Sequence, residues 1–236
     1  MQRYGILRGS PDGMYAGFKA MTDFQEVDLI KARSLFDVAQ DRIEPKSTDI
    51  LTLAVGLPFP PDISKAFKGI ISSIVGVLPS GARYYAPSDD TFHSELFLIK
   101  RPDETVSSEQ IDSAMAVFEE VFSKPSLLRV TYRGFLITPD GAIIVKGFAD
   151  YESVRSQLRE RISFAPKGQT QLCHVSIGRI LDPLGKDNFL RLQNLVADSL
   201  DKEYGSVTIS KAKFIHEHQW YMKSYTEMVT YSLLSE

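Results

Sequence analysis

Two short stretches in which polar and apolar residues alternate around a histidine constrain the fold of this chain most. The first is Thr91–Leu98, and the second, 81 residues later, is Leu172–Arg179. Because side chains point to alternate faces along a β-strand, each stretch predicts a strand with a histidine on one face and mostly apolar residues on the other. The separation is about the length of one structural lobe, so the two stretches belong to comparable halves of the chain.

The same alternation assigns the polar side chains to faces. In the second stretch His174 and Ser176 share one face of the strand. In the first stretch Thr91, His93 and Glu95 lie together on one face. Both strands are therefore predicted to carry a polar site on an otherwise apolar core strand.

The bulk properties are those of a folded protein with one bilobal domain. The 236 residues are 43% hydrophobic and 24% charged, and a net charge of −3 provides no general attraction to nucleic acid. The single cysteine, Cys173, excludes an intrachain disulfide and a zinc site built from thiolates, and it favours a cytoplasmic location. No run of 18 apolar residues and no apolar signal segment is visible, so we expect no membrane span and no export signal. We also expect the protein to be a monomer.

The order of predicted elements indicates an α+β fold. Residues 1–48 are predicted to form an amino-terminal extension with a helix over Phe24–Ile43, which Pro45 ends. Residues 49–236 then follow the order βαβαββαβαββ. This order predicts a bilobal, duplicated domain in which two antiparallel sheets face a central cleft and the helices pack outside.

The individual predictions in this domain depend on periodicity and on turn residues. Strands and β-rich runs are predicted at Asp49–Leu57, Ala82–Ala86, Phe92–Ile99, Leu127–Thr138, Ala142–Phe148, the second histidine stretch, Ser206–His216 and Trp220–Leu233. Helices are predicted at Ile63–Val75, after an N-cap at Ser107 or Ser108, at Tyr151–Ile162 and at Asp187–Leu200. The sequence Pro139-Asp140-Gly141 predicts a tight hairpin, because glycine tolerates a positive φ.

These residues resemble a known family. The sequence from His174 to Ile180, His-Val-Ser-Ile-Gly-Arg-Ile, resembles the second signature of the two-histidine (2H) phosphoesterase superfamily: His, any residue, Thr or Ser, then an apolar residue, often followed by Gly-Arg. The stretches Arg83–Pro87 and Asp90–His93 resemble the approach to the first signature. The resemblance covers about residues 49–233.

The resemblance implies a fold and a chemistry. The superfamily includes the LigT-like (2′-5′ RNA ligase-like) proteins and cyclic nucleotide phosphodiesterases, which act on 2′-linked phosphoester bonds without a metal or another cofactor. It implies that His93 and His174 meet across the cleft as general base and general acid, roles that suit an imidazole pKa near 6.5. The hydroxyl two residues after the second histidine, on Ser176, is implied to bind phosphoryl oxygens.

The first motif departs from this pattern at Glu95, where the family carries Thr or Ser. A carboxylate facing the cleft would repel a phosphodiester and raise the pKa of His93. Ser94 points to the opposite face, whereas Thr91 is on the correct face to supply a hydroxyl. Three interpretations follow: an altered substrate, a His93–Glu95 acid/base pair, or a binding protein descended from an enzyme.

Further polar residues are candidates for binding a substrate, although each also fits an ordinary structural role. Arg179 ends the second histidine strand and could reach an anion, and Tyr85 could stack on a base or hold a phosphate. His216 and His218 share a face of a predicted strand and could bind a metal with a carboxylate from elsewhere. No P-loop, dinucleotide-binding glycine motif, nucleophile elbow or HExxH motif is present.

The sequence thus predicts a metal-independent phosphoesterase that acts on a small 2′,3′-cyclic or 2′-5′-linked nucleotide, or on an RNA end. The residues expected to contact this substrate are Ser176, Thr91, Glu95, Arg179 and Tyr85. A non-catalytic nucleotide- or RNA-binding protein of the same fold is the alternative. A metal-dependent hydrolase centred on His216 and His218 is a third hypothesis.

Overall fold

The chain forms short strands and helices in alternation. The computed structural model describes residues 15, 33–39, 42–123 and 128–233. The helices and strands are β1 (Phe36–Val38), β2 (Ile43–Pro45), β3 (Ser47–Val55), α1 (Pro61–Val75), β4 (Tyr84–Tyr85), β5 (Ser94–Lys100), α2 (Ser108–Phe122), β6 (Leu128–Ile137), β7 (Ala142–Phe148), α3 (Glu152–Arg161), β8 (Val175–Ile180), α4 (Lys186–Asp198), β9 (Glu203–Ile209), β10 (Lys211–Gln219) and β11 (Ser224–Ser232).

Two antiparallel sheets carry the fold. The first sheet has the strand order β11-β10-β3-β5, and the second has the order β4-β8-β7-β6-β9. Strands β1 and β2 form a separate two-stranded hairpin. The predicted α+β class with two antiparallel sheets is confirmed, and the histidine stretches lead into β5, at the edge of the first sheet, and β8, in the second.

The main hydrophobic core lies under the helices and joins both sheets. Helix α1 buries Ile63, Phe67 and Ile70, which recur at the spacing of one helical face. The ring of Phe67 meets the rings of Phe92 and Tyr132 edge-on, at centroid distances of 5.8 Å and 5.1 Å. Because Phe92 leads into the first sheet and Tyr132 belongs to the second, this contact ties the two sheets together through α1.

The opposite faces of the two sheets carry a different set of side chains. On the first sheet these are Thr52, Ala54, Glu95, Ile215 and Glu217, and on the second they are Leu136, Ala142, Ile144 and Ser176. We call the space between these two faces the groove. The first of these faces carries two carboxyl groups and a threonine hydroxyl, and the second carries the hydroxyl of Ser176, so the groove is more polar than the main core.

One end of the groove is closed by aromatic side chains. Phe36 of β1, Tyr85 of β4 and Tyr221 contact one another, with ring centroids 5.0–5.7 Å apart. The hydroxyl of Tyr221, in the turn between β10 and β11, accepts a hydrogen bond of 3.1 Å from Nε of Arg179 on β8. The first and second sheets are therefore linked at this end by both packing and a hydrogen bond.

The predicted helix over Phe24–Ile43 agrees with the structure at residues 33–34, which are helical, and is wrong from Phe36 on, where β1 and β2 form instead; residues 24–32 and 40–41 lie outside the described residues. The N–H of Lys46 donates to the carbonyl of Leu35, which fixes the hairpin, and Phe36 is buried against the aromatic end of the groove. Tertiary burial has overridden the local helical spacing.

The predicted run Ser206–His216 is also not one strand. It breaks at Ser210, and the strands on either side, β9 and β10, belong to different sheets. The predicted hairpin at Pro139-Asp140-Gly141 is confirmed, since β6 and β7 pair and Gly141 has a φ of +80°. Within the described ranges, no helix is both long enough and apolar enough to cross a membrane.

Candidate active site

Both histidines lie at the residue immediately before a strand that borders the groove. His93 precedes β5 and His174 precedes β8, and these two strands approach each other across the groove. A positive charge on His93 lowers the pKa of His174, as expected for neighbouring rings. The structure therefore brings these two residues, distant in sequence, into one site.

The ring of His93 is oriented by its own turn. Its Nδ1 lies 2.9 Å from the carbonyl oxygen of Thr91, within a 3₁₀ turn that spans Asp89–Thr91. Because a carbonyl can only accept, Nδ1 carries a proton and, in the neutral ring, Nε2 keeps its lone pair. Burial lowers the pKa of His93, and the Thr91 carbonyl partly opposes this shift. His93 is thereby suited to accept a proton at neutral pH.

The ring of His174 is held differently. Its Nδ1 is buried and makes no hydrogen bond with any described residue. Burial, followed by the positive charges of Arg155 and His93, lowers its pKa to about 4. In the free protein this imidazole is therefore neutral at pH 7, and it gains a proton there only if a negative charge enters the groove.

Arg155, on α3, connects the two histidine stretches by hydrogen bonds to the backbone of both. Its Nε donates to the carbonyl of Leu96, and its Nη2 donates to the carbonyls of Glu95 and Leu172, each at 2.8 Å. The residue is only 1% exposed. Because one rigid guanidinium contacts the backbone of β5 and the segment before β8, it fixes their spacing near the histidines.

The sequence contained a signal for Arg155 that the motif search missed. Helix α3 buries Val154 and Leu158, and Arg155 lies on the same face. Its guanidinium also lies over the ring of Tyr151, 5.0 Å from the centroid. An arginine on the apolar face of an amphipathic helix is buried on folding and needs hydrogen-bond acceptors there. Its position in the sequence therefore predicts a structural role inside the protein.

Two carboxyl groups lie on the groove face of the first sheet. The hydroxyl of Thr52 donates to Oε2 of Glu95 at 3.4 Å, and burial raises the pKa of Glu95 while the charge of Arg155 opposes that shift. Oε1 of Glu217 accepts a hydrogen bond of 2.9 Å from the N–H of Met222. Burial and the charge of Glu95 raise the pKa of Glu217 to about 7, although the Met222 hydrogen bond lowers it.

The predicted hydroxyls lie close in sequence to the histidines. Ser176 is half-buried on the groove face of β8, two residues beyond His174 and opposite Ile144 of β7. The hydroxyl of Thr91 donates to the carbonyl of Ser88 at 2.8 Å within the turn. In this structure Thr91 therefore contributes to the site through the carbonyl that orients His93.

Comparison with known proteins identifies the fold. No protein-family model matches the sequence, and no curated protein matches it. Solved structures do match it, among them TT0787 of Thermus thermophilus (TM-score 0.54, 15% identity, 79% of this chain and 99% of that chain), a phosphoesterase (0.52, 13%, 80% and 99%) and LigT of E. coli complexed with NADP+ (0.50, 14%, 80% and 100%). The chain has the LigT-like fold. The fold that the two histidine stretches imply is thereby confirmed.

Within the LigT-like fold, two of the predicted binding residues lie at the aromatic end of the groove. Arg179 is 7% exposed, and its Nη1 lies 3.1 Å from a carboxylate oxygen of Asp140. Tyr85 packs between Phe36 and Tyr221. A strand rises about 3.3 Å per residue, so Arg179 lies about 16 Å along the chain from His174. The structure does not bring these residues to the histidines.

A residue from the predicted extension also contacts the groove of this LigT-like fold. Tyr15 is buried against the groove face of the second sheet, and its ring meets Phe148 edge-on at 5.4 Å. Its hydroxyl donates to the carbonyl of Gly147 at 2.9 Å and accepts from the N–H of the same residue at 3.0 Å. Sequence reasoning missed this contact because nothing near Tyr15 in the chain indicates it.

The rival site at His216 and His218 is on the other face of the first sheet. Nε2 of His216 lies 2.8 Å from Oδ1 of Asp49, and Nε2 of His218 lies 2.9 Å from the hydroxyl of Thr226. The two rings contact each other at an interplanar angle of 56°, with centroids 4.3 Å apart. In the part of the chain that the structure describes, no group of three or more His, Cys, Asp or Glu side chains could hold a metal ion.

Proposed function

We propose that this protein is a metal-independent phosphoesterase that hydrolyses 2′,3′-cyclic or 2′-5′-linked phosphodiesters of a small nucleotide or an RNA end. The observation that carries the proposal is the placement of two imidazoles at equivalent positions, each just before a strand of a different sheet, on two strands that approach each other. The charge of His93 also lowers the pKa of His174. The LigT-like fold supports it, and so does the NADP+ complex of LigT, because that ligand contains nucleotides.

The two imidazoles divide the proton transfers. Nε2 of His93 has a free lone pair in the neutral ring and removes a proton from the attacking water. The anionic phosphoryl group raises the pKa of the second imidazole, and His174 then gives its proton to the leaving ribose oxygen as the P–O bond breaks. Each transfer typically contributes about 10²- to 10⁴-fold to the rate.

The remaining groove residues have secondary roles in this proposal. Ser176 donates its hydroxyl to a phosphoryl oxygen, and Thr91 holds His93 through its carbonyl. Glu95 contacts the phosphoryl group from the first sheet, whereas Arg179 and Tyr85 shape the far end of the groove for the rest of the nucleotide. The monomeric state and the cytoplasmic location stay predictions of the sequence.

His93→Ala and His174→Ala test the assignment, with His218→Ala as the matched control on the other face of the sheet. We expect each groove variant to lose about 100-fold or more in turnover of a 2′,3′-cyclic nucleotide and the control to keep wild-type turnover. Circular dichroism checks that all three variants are folded. Wild-type turnover in either groove variant would contradict the proposal, and turnover that survives a chelator would exclude the metal hypothesis at His216 and His218.

One observation favours the alternative of a non-catalytic binding protein. Glu95 places a carboxyl group on the groove face of β5, two residues after His93, where a negative charge would oppose a bound phosphodiester. Calorimetry with a 2′,3′-cyclic nucleotide, followed by analysis of the products, separates the two functions. Binding without hydrolysis at every pH from about 5 to 8, the range in which histidine changes charge, would favour the binding protein.

A further inference from the structure

The chain leaves the second sheet at the residue that carries the second imidazole. The pairing of β7 with β8 ends at Val145 and Val175, although β7 continues to Phe148. His174 is therefore the first residue beyond this pairing. Because it lies outside the ladder of backbone hydrogen bonds, its position depends on the contacts of the segment that precedes it.

Gly147 of β7 supports the segment that leads to His174. A Cβ placed on Gly147 would lie 2.1 Å from the carbonyl oxygen of Cys173 and 3.0 Å from its carbonyl carbon. This carbonyl belongs to the peptide group that joins Cys173 to His174. The peptide group thus packs directly against Gly147, and a glycine inside a strand often marks such a close approach of another backbone.

Gly147 is in turn held by Tyr15. The hydroxyl of Tyr15 accepts from the N–H of Gly147 at 3.0 Å and donates to the carbonyl of the same residue at 2.9 Å. One side chain thus occupies the position of a neighbouring strand residue beside β7. Burial raises the pKa of Tyr15 more than hydrogen bonds with the backbone of Gly147 and Cys173 lower it. The hydroxyl therefore keeps its proton and donates and accepts at the same time.

The ring of Tyr15 packs on the groove side of the same segment. It is buried, meets Phe148 edge-on, and belongs to a small hydrophobic cluster against which Leu172 also packs. Leu172 lies two residues before His174, and its carbonyl accepts a hydrogen bond from Arg155 on α3. The segment before His174 is therefore held from α3 by Arg155 and from the groove by Tyr15.

We propose, building on the function above, that Tyr15 is a positioning residue for His174: its hydroxyl holds Gly147 against the peptide group before His174 and so fixes where the imidazole lies in the groove. A proton donor must lie within about 3 Å of the leaving oxygen. A displacement of about 1 Å can lower the rate about 100-fold. Tyr15 belongs to the predicted amino-terminal extension, so the extension completes the site although it carries neither histidine motif.

Tyr15→Phe tests the proposal, because it removes the hydroxyl and keeps the ring. We expect the kcat for a 2′,3′-cyclic nucleotide to fall about 10- to 100-fold. The KM should change little, since the loss arises in proton transfer and not in substrate binding. Tyr231→Phe is the matched control. It removes a hydroxyl that contacts the carbonyl of Met115 at 3.5 Å, away from the groove, and should keep the wild-type kcat.

Imidazole NMR of the free protein reports on His174 whether or not the protein is an enzyme. The chain has four histidines, and His174→Asn assigns the signal. We expect Tyr15→Phe to shift this signal and to raise the pKa of His174 from about 4 towards the ordinary value near 6.5, because a displaced ring gains contact with water. The signals of His216 and His218, on the other face of the first sheet, should stay in place.

Gly147→Ala displaces the same peptide group by steric contact instead of by loss of a hydrogen bond. Because its Cβ would collide with the carbonyl oxygen of Cys173, we expect the same shift of the His174 signal and a loss of kcat at least as large as in Tyr15→Phe. Gly69→Ala on α1 is the control, since nothing lies within 4 Å of a Cβ there. Circular dichroism checks that every variant is folded, and a wild-type His174 signal in folded Gly147→Ala would overturn the inference.

These outcomes are separable from the test of the proposed function. If the histidine variants lose turnover but Tyr15→Phe keeps the wild-type His174 signal, only the role of Tyr15 fails, whatever its kcat. If the His174 signal depends on Tyr15 but neither histidine variant affects turnover, the phosphoesterase assignment fails and Tyr15 still positions the imidazole in the groove.

Discussion

Arg155 shows how much of the groove depends on one residue outside both histidine motifs. Its guanidinium is buried, and three of its hydrogen bonds end on backbone carbonyl groups. A hydrogen bond to a charged group contributes about 1.5–3 kcal/mol, and a buried carbonyl left without a donor costs a comparable amount. The spacing of the two histidine stretches is therefore a property of this side chain.

Arg155→Met is expected to lower the free energy of unfolding by about 3 kcal/mol or more. Arg155→Lys should fall between this variant and the wild type, since an ammonium cannot reach all three carbonyls. Arg159→Met is the control, at a position one turn after Arg155 on α3. It removes an exposed ion pair with Glu152 and should lower the free energy of unfolding by less than about 1 kcal/mol. Urea denaturation measures all three, and equal losses in Arg155→Met and Arg159→Met would contradict the structural role.

The lowered pKa of His174 makes part of the stability depend on pH. The folded-state pKa is about 4, below the value near 6.5 expected in the unfolded chain. The unfolded chain thus binds more protons between these values, so the free energy of unfolding falls as the pH drops from about 6.5 to about 4. Over this pH range, the free energy of unfolding of His174→Asn should fall by up to about 3 kcal/mol less than that of the wild type. Parallel curves of the free energy of unfolding against pH for the two proteins would show that the imidazole is not desolvated.

At the scale of secondary-structure elements, the strand that follows His93 is an edge strand with a protected edge. The side-chain amide of Gln169 accepts from the N–H of Leu98 at 2.8 Å and donates to its carbonyl at 2.7 Å. One glutamine therefore imitates a neighbouring strand on the free side of β5. Protection of this kind prevents pairing with another chain at an exposed edge.

Gln169→Leu is expected to lower the free energy of unfolding by about 1–2 kcal/mol, because both polar groups of Leu98 lose their partners. We also expect more self-association in light scattering, since the edge of β5 is then free to pair. Gln171→Leu, at an exposed position two residues later, is the control and should leave both measurements near the wild-type values. Wild-type behaviour of Gln169→Leu would mean that the edge is protected by something else.

At the scale of the whole molecule, the two sheets are connected at both ends of the groove. Arg155 connects them near the histidines, and the aromatic cluster with Arg179 connects them at the other end. Tyr221 has a φ of 64° and Met222 has a φ of 52°, both in the region that non-glycine residues rarely adopt. The hydrogen bond from Met222 to Glu217 helps to hold this turn, so the turn, the aromatic cluster and Glu217 form one connected unit.

Substitutions at Tyr221 separate the two parts of this connection. Tyr221→Phe removes only the hydroxyl, which accepts from Arg179 and donates to the carbonyl of Gly178 at 3.5 Å, and should cost about 1 kcal/mol. Tyr221→Ala also removes the contacts with Phe36 and Tyr85 and should cost about 3–5 kcal/mol. Alanine is no better suited than tyrosine to the positive φ, so backbone strain does not enter the comparison. Equal losses in guanidinium denaturation would show that the ring contacts do not stabilise the connection.

The sequence by itself determined the faces of the strands and the tight turns, because both depend on neighbouring residues. The alternation predicted strands β5 and β8, although His93 and His174 themselves lie just before these strands, and Gly141 marked the hairpin. Only the tertiary structure decided which distant groups meet. Arg155 bonds to Leu96 across 59 positions, and Tyr15 bonds to Gly147 across 132. A local pattern indicates which way a side chain points, whereas its partner depends on how sheets and helices pack. For that reason the contacts of Arg155 and Tyr15 and the strands at residues 36–45 could not be predicted.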